Sequence, residues 1–240
     1  MSSFVHACQH GDLEEAQRLL GLGGVDMHAV IDIAFRGACA GGHVAVAQWL
    51  FSLGGVSIHA DNDGAFRRAC GSGHLVVAQW LFSLGDVHIH DLDDDAFLRA
   101  CGNGHLVVAQ WLYGLGGVHI HAADEHAFRW ACGHGHLVVA RWLLSLGGVN
   151  SHACNEDAFR WACEYGQLAV AQWLLSLGGV NIHATGDDAF RMACKNGYRG
   201  LGRWLCALEP EWSWPAIGLR ILQAWTPARD AWMRAVLSRC

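Results

Sequence analysis

The chain repeats itself every 31 residues, and six consecutive copies hold that register without insertion or deletion. The pair Ala-Phe falls at Ala34-Phe35, Ala65-Phe66, Ala96-Phe97, Ala127-Phe128, Ala158-Phe159 and Ala189-Phe190, and the same step carries Cys39 through Cys70, Cys101, Cys132 and Cys163 to Cys194. A tryptophan column runs Trp49, Trp80, Trp111, Trp142, Trp173, Trp204, and a histidine column runs His28, His59, His90, His121, His152, His183. A short constant period implies stacked units, each leaving an apolar face bare until its neighbour covers it. Such a stack presents an extended surface, which points to binding before catalysis.

One unit spells out the pattern. Asp157-Ala158-Phe159-Arg160-Trp161-Ala162-Cys163 spaces its apolar residues as a helix does, behind an acidic residue suited to capping the start. Gly166 ends this first helix, and Leu168 to Leu177 reads as a second one that carries the tryptophan column. After Gly178-Gly179, Val180-Asn181-Ile182-His183-Ala184 alternates apolar and polar residues and predicts a short extended finger.

The unit resembles the ankyrin repeat over about residues 3–208, seven units if the incomplete first one is counted. The motifs that carry the resemblance are Gly73-His74-Leu75, Gly104-His105-Leu106 and Gly135-His136-Leu137 at the start of the second helix, and the finger Val56-Ser57-Ile58-His59-Ala60. Where the family commonly opens its first helix with Thr-Pro-Leu-His, this chain writes Asp157-Ala158-Phe159-Arg160, with Asp95, Asp157 and Asp188 placed to cap instead. In its 31-residue period it is similar to the short-period ankyrin proteins of large DNA viruses and protists. The resemblance implies an all-α helix-turn-helix solenoid of about seven stacked repeats with short extended fingers. It also implies a non-catalytic scaffold that binds a protein partner in the concave groove between fingers and first helices.

Two domains are expected: a solenoid over 1–208 and a capping segment over 209–240. The first unit is incomplete and polar enough to act as the amino-terminal cap, with Asp12 and Glu15 spaced as a capping box. After Glu209-Pro210 the repeat breaks, and two further helices, Pro215 to Trp225 and Pro227 to Arg239, read as the carboxy-terminal cap, or alternatively as an adaptor element docking a larger assembly.

Composition narrows the partners. A net charge of −6 with no basic stripe disfavours nucleic acid and anionic membrane surfaces. The sequence shows neither a leader-like amino terminus nor an apolar run of membrane-spanning length. A monomeric, intracellular, cytoplasmic protein is expected. Seven of the ten cysteines occupy one slot of successive units. Equivalent helices stack about 8–10 Å apart, too far for a disulfide, so they read as small buried hydrophobes.

The candidates for chemistry are thin. No catalytic constellation, phosphate-cradling loop or cofactor motif stands outside the repeated slots, so no catalytic residue, cofactor or metal ligand is assigned. Paired histidines such as His88-Ile89-His90 put two imidazoles on one side of a finger. Equivalent histidines should nevertheless be separated by a full repeat step, beyond the reach of one ion. A metal- or pH-responsive histidine module is the alternative reading, since protonating all 16 histidines would move the net charge from −6 to +10 (−6 plus 16).

Recognition should use the slots that vary between units. One precedes Ala-Cys in the first helix: Gly37, Arg68, Arg99, Trp130, Trp161, Met192. By the resemblance it faces the groove. Its aromatic and methionine members are candidate anchors, with Arg68 and Arg99 as a cationic end. The finger tips, including Asp61, Asp93 and Asp124, and the helix ends, including His134, Tyr165 and Asn196, complete the expected partner-binding set.

Overall fold

The structure is a computed structural model that describes residues 3–208. The expected carboxy-terminal helices, with Trp212, Trp214, Trp225 and Trp232, lie outside the described residues. Fourteen helices and no strand occupy the described residues, making an all-α helical-repeat solenoid. In chain order they are α1 (Ser3–Gln9), α2 (Leu13–Gly21), α3 (Met27–Ala40), α4 (Val44–Ser52), α5 (Ala60–Gly71), α6 (Leu75–Ser83) and α7 (Asp91–Gly102). They continue with α8 (Leu106–Leu115), α9 (Ala122–Gly133), α10 (Leu137–Ser145), α11 (Ala153–Glu164), α12 (Leu168–Leu177), α13 (Ala184–Lys195) and α14 (Arg199–Leu208). No described helix is long and apolar enough to cross a membrane.

The described residues divide into two compact units, with the boundary between 127 and 128. In the first, the odd-numbered helices α1, α3, α5 and α7 pack in sequence, and each even-numbered helix rests on the odd one before it. In the second, α11 packs on α13, with α12 on α11 and α14 on α13. The repeated slots explain this order. Phe35, Phe66, Phe97, Phe128 and Phe159 are at most 1% exposed, and the alanines beside them are as deeply buried. The tryptophans reach back one repeat: Trp80 meets Phe35 at 6.1 Å, Trp111 meets Phe66 at 6.1 Å, and in the second unit Trp173 meets Phe128 at 6.2 Å. Trp111 also takes Phe82 edge-on at 5.8 Å and remains half-buried. We therefore expect Trp111→Ala to cost about 2–3 kcal/mol in urea unfolding, below the 3–5 of a fully enclosed tryptophan.

The cysteine column is buried from Cys8 to Cys163, with Cys194 in the last repeat only half-buried, and burial pushes the thiols up: Cys8 to about 11, Cys39 and Cys163 each to about 12, and Cys70, Cys101 and Cys132 higher still. Their role is space-filling, as small hydrophobes between packed helices.

Two local expectations change. The fingers form no strand; each closes in a turn, such as the Ala60 N–H donating to the Ser57 carbonyl at 3.2 Å. Nor do Asp95, Asp157 and Asp188 cap helices, because arginines claim their carboxylates. Asp95 accepts from Arg67 at 2.6 Å and Arg99 at 2.7 Å, Asp157 from Arg129 at 2.7 Å and Arg160 at 2.6 Å, and Asp188 from Arg160 at 2.9 Å and Arg191 at 2.8 Å. Burial alone would raise the Asp95 carboxyl, but the hydrogen bonds from Arg99 and Arg67 outweigh it and hold it below its ordinary value. Each aspartate thus ties one repeat to the next. Asp12 does cap α2, accepting the Glu15 N–H at 2.9 Å, whereas the Glu15 side chain turns to Arg18 at 2.6 Å and does not complete the box.

Candidate functional site

In α9 and α11, Trp130 and Trp161 follow two positions behind the buried Phe128 and Phe159, so helical geometry turns them away from the core. Both are half-buried, as is Met192 in the same slot of α13. The Trp130 indole N–H donates to His134 Nε2 at 3.3 Å, and the two rings meet edge-on at 5.8 Å. His134 stacks on Tyr165 with centroids 5.7 Å apart. The Arg129 guanidinium lies 5.1 Å over the Trp161 ring. A side chain at Gly133 would bring its Cβ to 3.1 Å from the Trp161 Cβ, so the glycine lets this tryptophan settle close to the preceding helix. Tyr165 and Asn196 are exposed, and the Asn196 amide donates to the Glu164 carbonyl at 2.7 Å. The structure therefore brings Trp130, His134, Tyr165 and Trp161 into one aromatic surface on the second unit.

The expected residues of the first unit sit differently. Arg99 is exposed but its Nε donates to Asp95 at 2.7 Å, so its charge is already opposed. Arg68 lies 3.8 Å from Asp61, and Arg36 donates to the same carboxylate at 3.2 Å. Arg68 also borders a hollow of about 480 Å³ with Gln9, Ile33, Arg36 and Gly37. Asp93 and Asp124 are exposed finger-tip carboxylates.

Residues 97–186 match the family model for ankyrin repeats, in three copies. These are ankyrin repeats. The human ASB11 ankyrin repeat domain, known from a crystal structure, is similar with a TM-score of 0.56 at 24% identity, covering 80% of this chain and 92% of that chain. Identity that low speaks to the fold alone. No curated protein sequence matches the chain.

In both units the finger histidines have a structural task. His59, His90, His121, His152 and His183 each pair through Nδ1 with a carboxylate four residues on. His59 meets Asp63 at 2.7 Å, His121 meets Glu125 at 3.1 Å, His152 meets Glu156 at 2.9 Å and His183 meets Asp187 at 2.7 Å, and His90 pairs with Asp94 in the same way. Asp63, Asp94, Glu125 and Glu156 are buried. The carboxylate then receives a backbone N–H from the next finger: His88 to Asp63 at 2.9 Å, His119 to Asp94 at 3.0 Å, Asn181 to Glu156 at 3.1 Å. The acidic residue at the fourth position after each histidine was the available signal.

A left-handed turn delivers that carboxylate. Asp61-Asn62-Asp63, Leu92-Asp93-Asp94, Ala123-Asp124-Glu125 and Cys154-Asn155-Glu156 all have φ between 50 and 66°. Such angles cost L-residues roughly 1–2 kcal/mol each, so the turn persists only where its surroundings over-determine it. Here Arg67 donates to the Asp61 and Asn62 carbonyls at 2.6 and 2.8 Å, while Asp63 is held on both oxygens.

Proposed function

We propose that the protein is a non-catalytic scaffold that captures a segment of another protein on the first-helix face of its second unit, with Trp130 and Trp161 as the anchors. Ankyrin repeats are generic protein–protein interaction modules, and residues 97–186 match them. The observation that carries the finer reading is that both tryptophans occupy the slot that varies between repeats and stay half-buried, while the phenylalanines two positions earlier are sealed in the core. Large aromatic side chains of this kind contribute most when a partner completes their desolvation. Met192 extends the apolar surface, and Tyr165, His134 and Asn196 supply a polar rim. The hollow beside Arg68 would accept an acidic side chain of a partner in the first unit, with Asp61, Asp93 and Asp124 setting the charge of the finger tips.

The test uses immobilised wild type to recover a partner, then compares it with Trp130→Ser/Trp161→Ser. Binding should fall at least 100-fold while far-ultraviolet circular dichroism is retained. Val76→Ser, at an exposed position on α6, should leave binding intact. Retention of full affinity by the double variant would remove these residues from the binding surface.

A further inference from the structure

One finger departs from the others in a way that assembles metal-ligating groups. Asp63, His88 and Asp91 each offer a ligand atom, and these atoms lie within 4.8 Å of one another. The three line one hollow of about 360 Å³ together with His59, Asn62 and Asp86, so no lysine or arginine faces it. Asp63 comes from one repeat while His88, Asp91 and Asp86 come from the next. Equivalent histidines lie a repeat step apart, but the carboxylate of one finger reaches the histidine of the following one, where His88 Nδ1 stands 3.7 Å from Asp63 Oδ2.

The repeat register supplies a second, independent observation. Where this unit has Asp91, its sisters have Ala60, Ala122, Ala153 and Ala184, and where it has Asp86 they have Gly55, Gly117, Gly148 and Gly179. His88 replaces Ser57, Asn150 and Asn181 and is shared only with His119 among those fingers. Two departures from the repeat thus both add a carboxylate, and both fall on the same hollow. Asp86 takes the left-handed φ of 58° that glycine adopts in the other units, a conformation aspartate tolerates better than most residues.

We infer that Asp63, His88 and Asp91 form a binding site for a divalent transition-metal ion of the Zn²⁺ type. One imidazole with two carboxylates is a borderline donor set that suits such ions better than Ca²⁺, which takes oxygen ligands alone. Asp63 is the pre-positioned ligand: its side chain is 2% exposed and its Oδ1 is held by His59 Nδ1 at 2.7 Å, the kind of outer contact that orients a metal-binding group. His88, 74% exposed, and Asp91, at the start of α7, close about an ångström onto the ion, with Asp86 or water completing its coordination. The ion would join two successive repeats at their fingers.

Titration calorimetry with ZnCl2 in metal-free buffer at neutral pH tests this on the full chain. Wild type should take up one equivalent that His88→Asn/Asp91→Ala lacks, or binds at least 30-fold more weakly. Both replacements are residues that sister repeats carry at those positions, so the variant should melt like wild type without metal. His119→Asn, whose repeat has Ala122 in the Asp91 position, should keep the equivalent. The site is overturned if wild type binds no Zn²⁺ below millimolar concentration, if the double variant binds as wild type does, or if His119→Asn removes the same equivalent.

Discussion

Raising the pH from 8.5 to 10.5 should strip most of the protein's stability. The five thiols Cys39, Cys70, Cys101, Cys132 and Cys163 hold their protons to about 12 or beyond in the folded chain, because burial penalises the thiolate. Unfolded, the same thiols release them near 9. Above that pH the unfolded state binds fewer protons than the native one, so stability is whole below about 9 and falls as pH climbs toward 12. Each thiol forfeits about 1.4 kcal/mol per pH unit in that window, roughly 2 kcal/mol by pH 10.5. Several together match the ordinary 5–15 kcal/mol of a folded protein. The chain has a single lysine, Lys195, and three tyrosines against ten cysteines, so thiols dominate the titration in this range. Urea midpoints at pH 8.5, 9.5 and 10.5 under reducing conditions should fall steeply, and Cys101→Ala should flatten the slope by one thiol's share. Midpoints that stay level across this range would contradict the burial of the column.

Asp94→Ala should destabilise the protein by about 3 kcal/mol, far more than a finger residue ordinarily commands. The carboxylate pairs with His90 and accepts the His119 N–H at 3.0 Å, and its side chain is 5% exposed. Truncation orphans the part-buried His119 N–H, which costs about 1–3 kcal/mol when left without a partner, and removes the bond that holds the half-exposed His90 imidazole. It also places alanine at φ 63°, where aspartate is better tolerated. Asp94→Glu is the matching control. Glu125 and Glu156 fill the same slot in later repeats, so the longer acid should cost less than about 1 kcal/mol. A loss below about 1 kcal/mol for the alanine variant, read from urea unfolding at pH 7, would mean the finger does not depend on this bridge.

What was legible in the sequence is what the period repeats. The helix pairs, the sealed phenylalanines and the buried cysteines each answer to one column of identical residues, and a column is a packing constraint applied six times. That the slot of Trp130 and Trp161 changes between units while its neighbours do not was legible too, whereas their half-burial came only from the structure. Contacts that join unlike positions were hidden. Nothing in the spacing announces that Asp95 serves Arg67 rather than its own helix start, since the two lie 28 residues apart. The left-handed turns were masked for another reason: Leu92, Ala123 and Cys154 do not ordinarily adopt that backbone, and only tertiary bonds to the acid at the end of the turn impose it. The Asp63, His88 and Asp91 grouping was missed because it required comparing different slots of neighbouring repeats.

Within each unit a tryptophan closes on the phenylalanine of the repeat before, as Trp80 does on Phe35, Trp111 on Phe66 and Trp173 on Phe128, so these junctions resemble one another. Interchangeable junctions make length itself an evolvable property. A recombination event that excises or duplicates 31 residues in register leaves matched partners at the new joint, and the polypeptide can shorten or grow without redesigning its interior. The finger bearing Asp86 and Asp91 is the exception, since its chemistry would be lost or doubled with the segment that carries it.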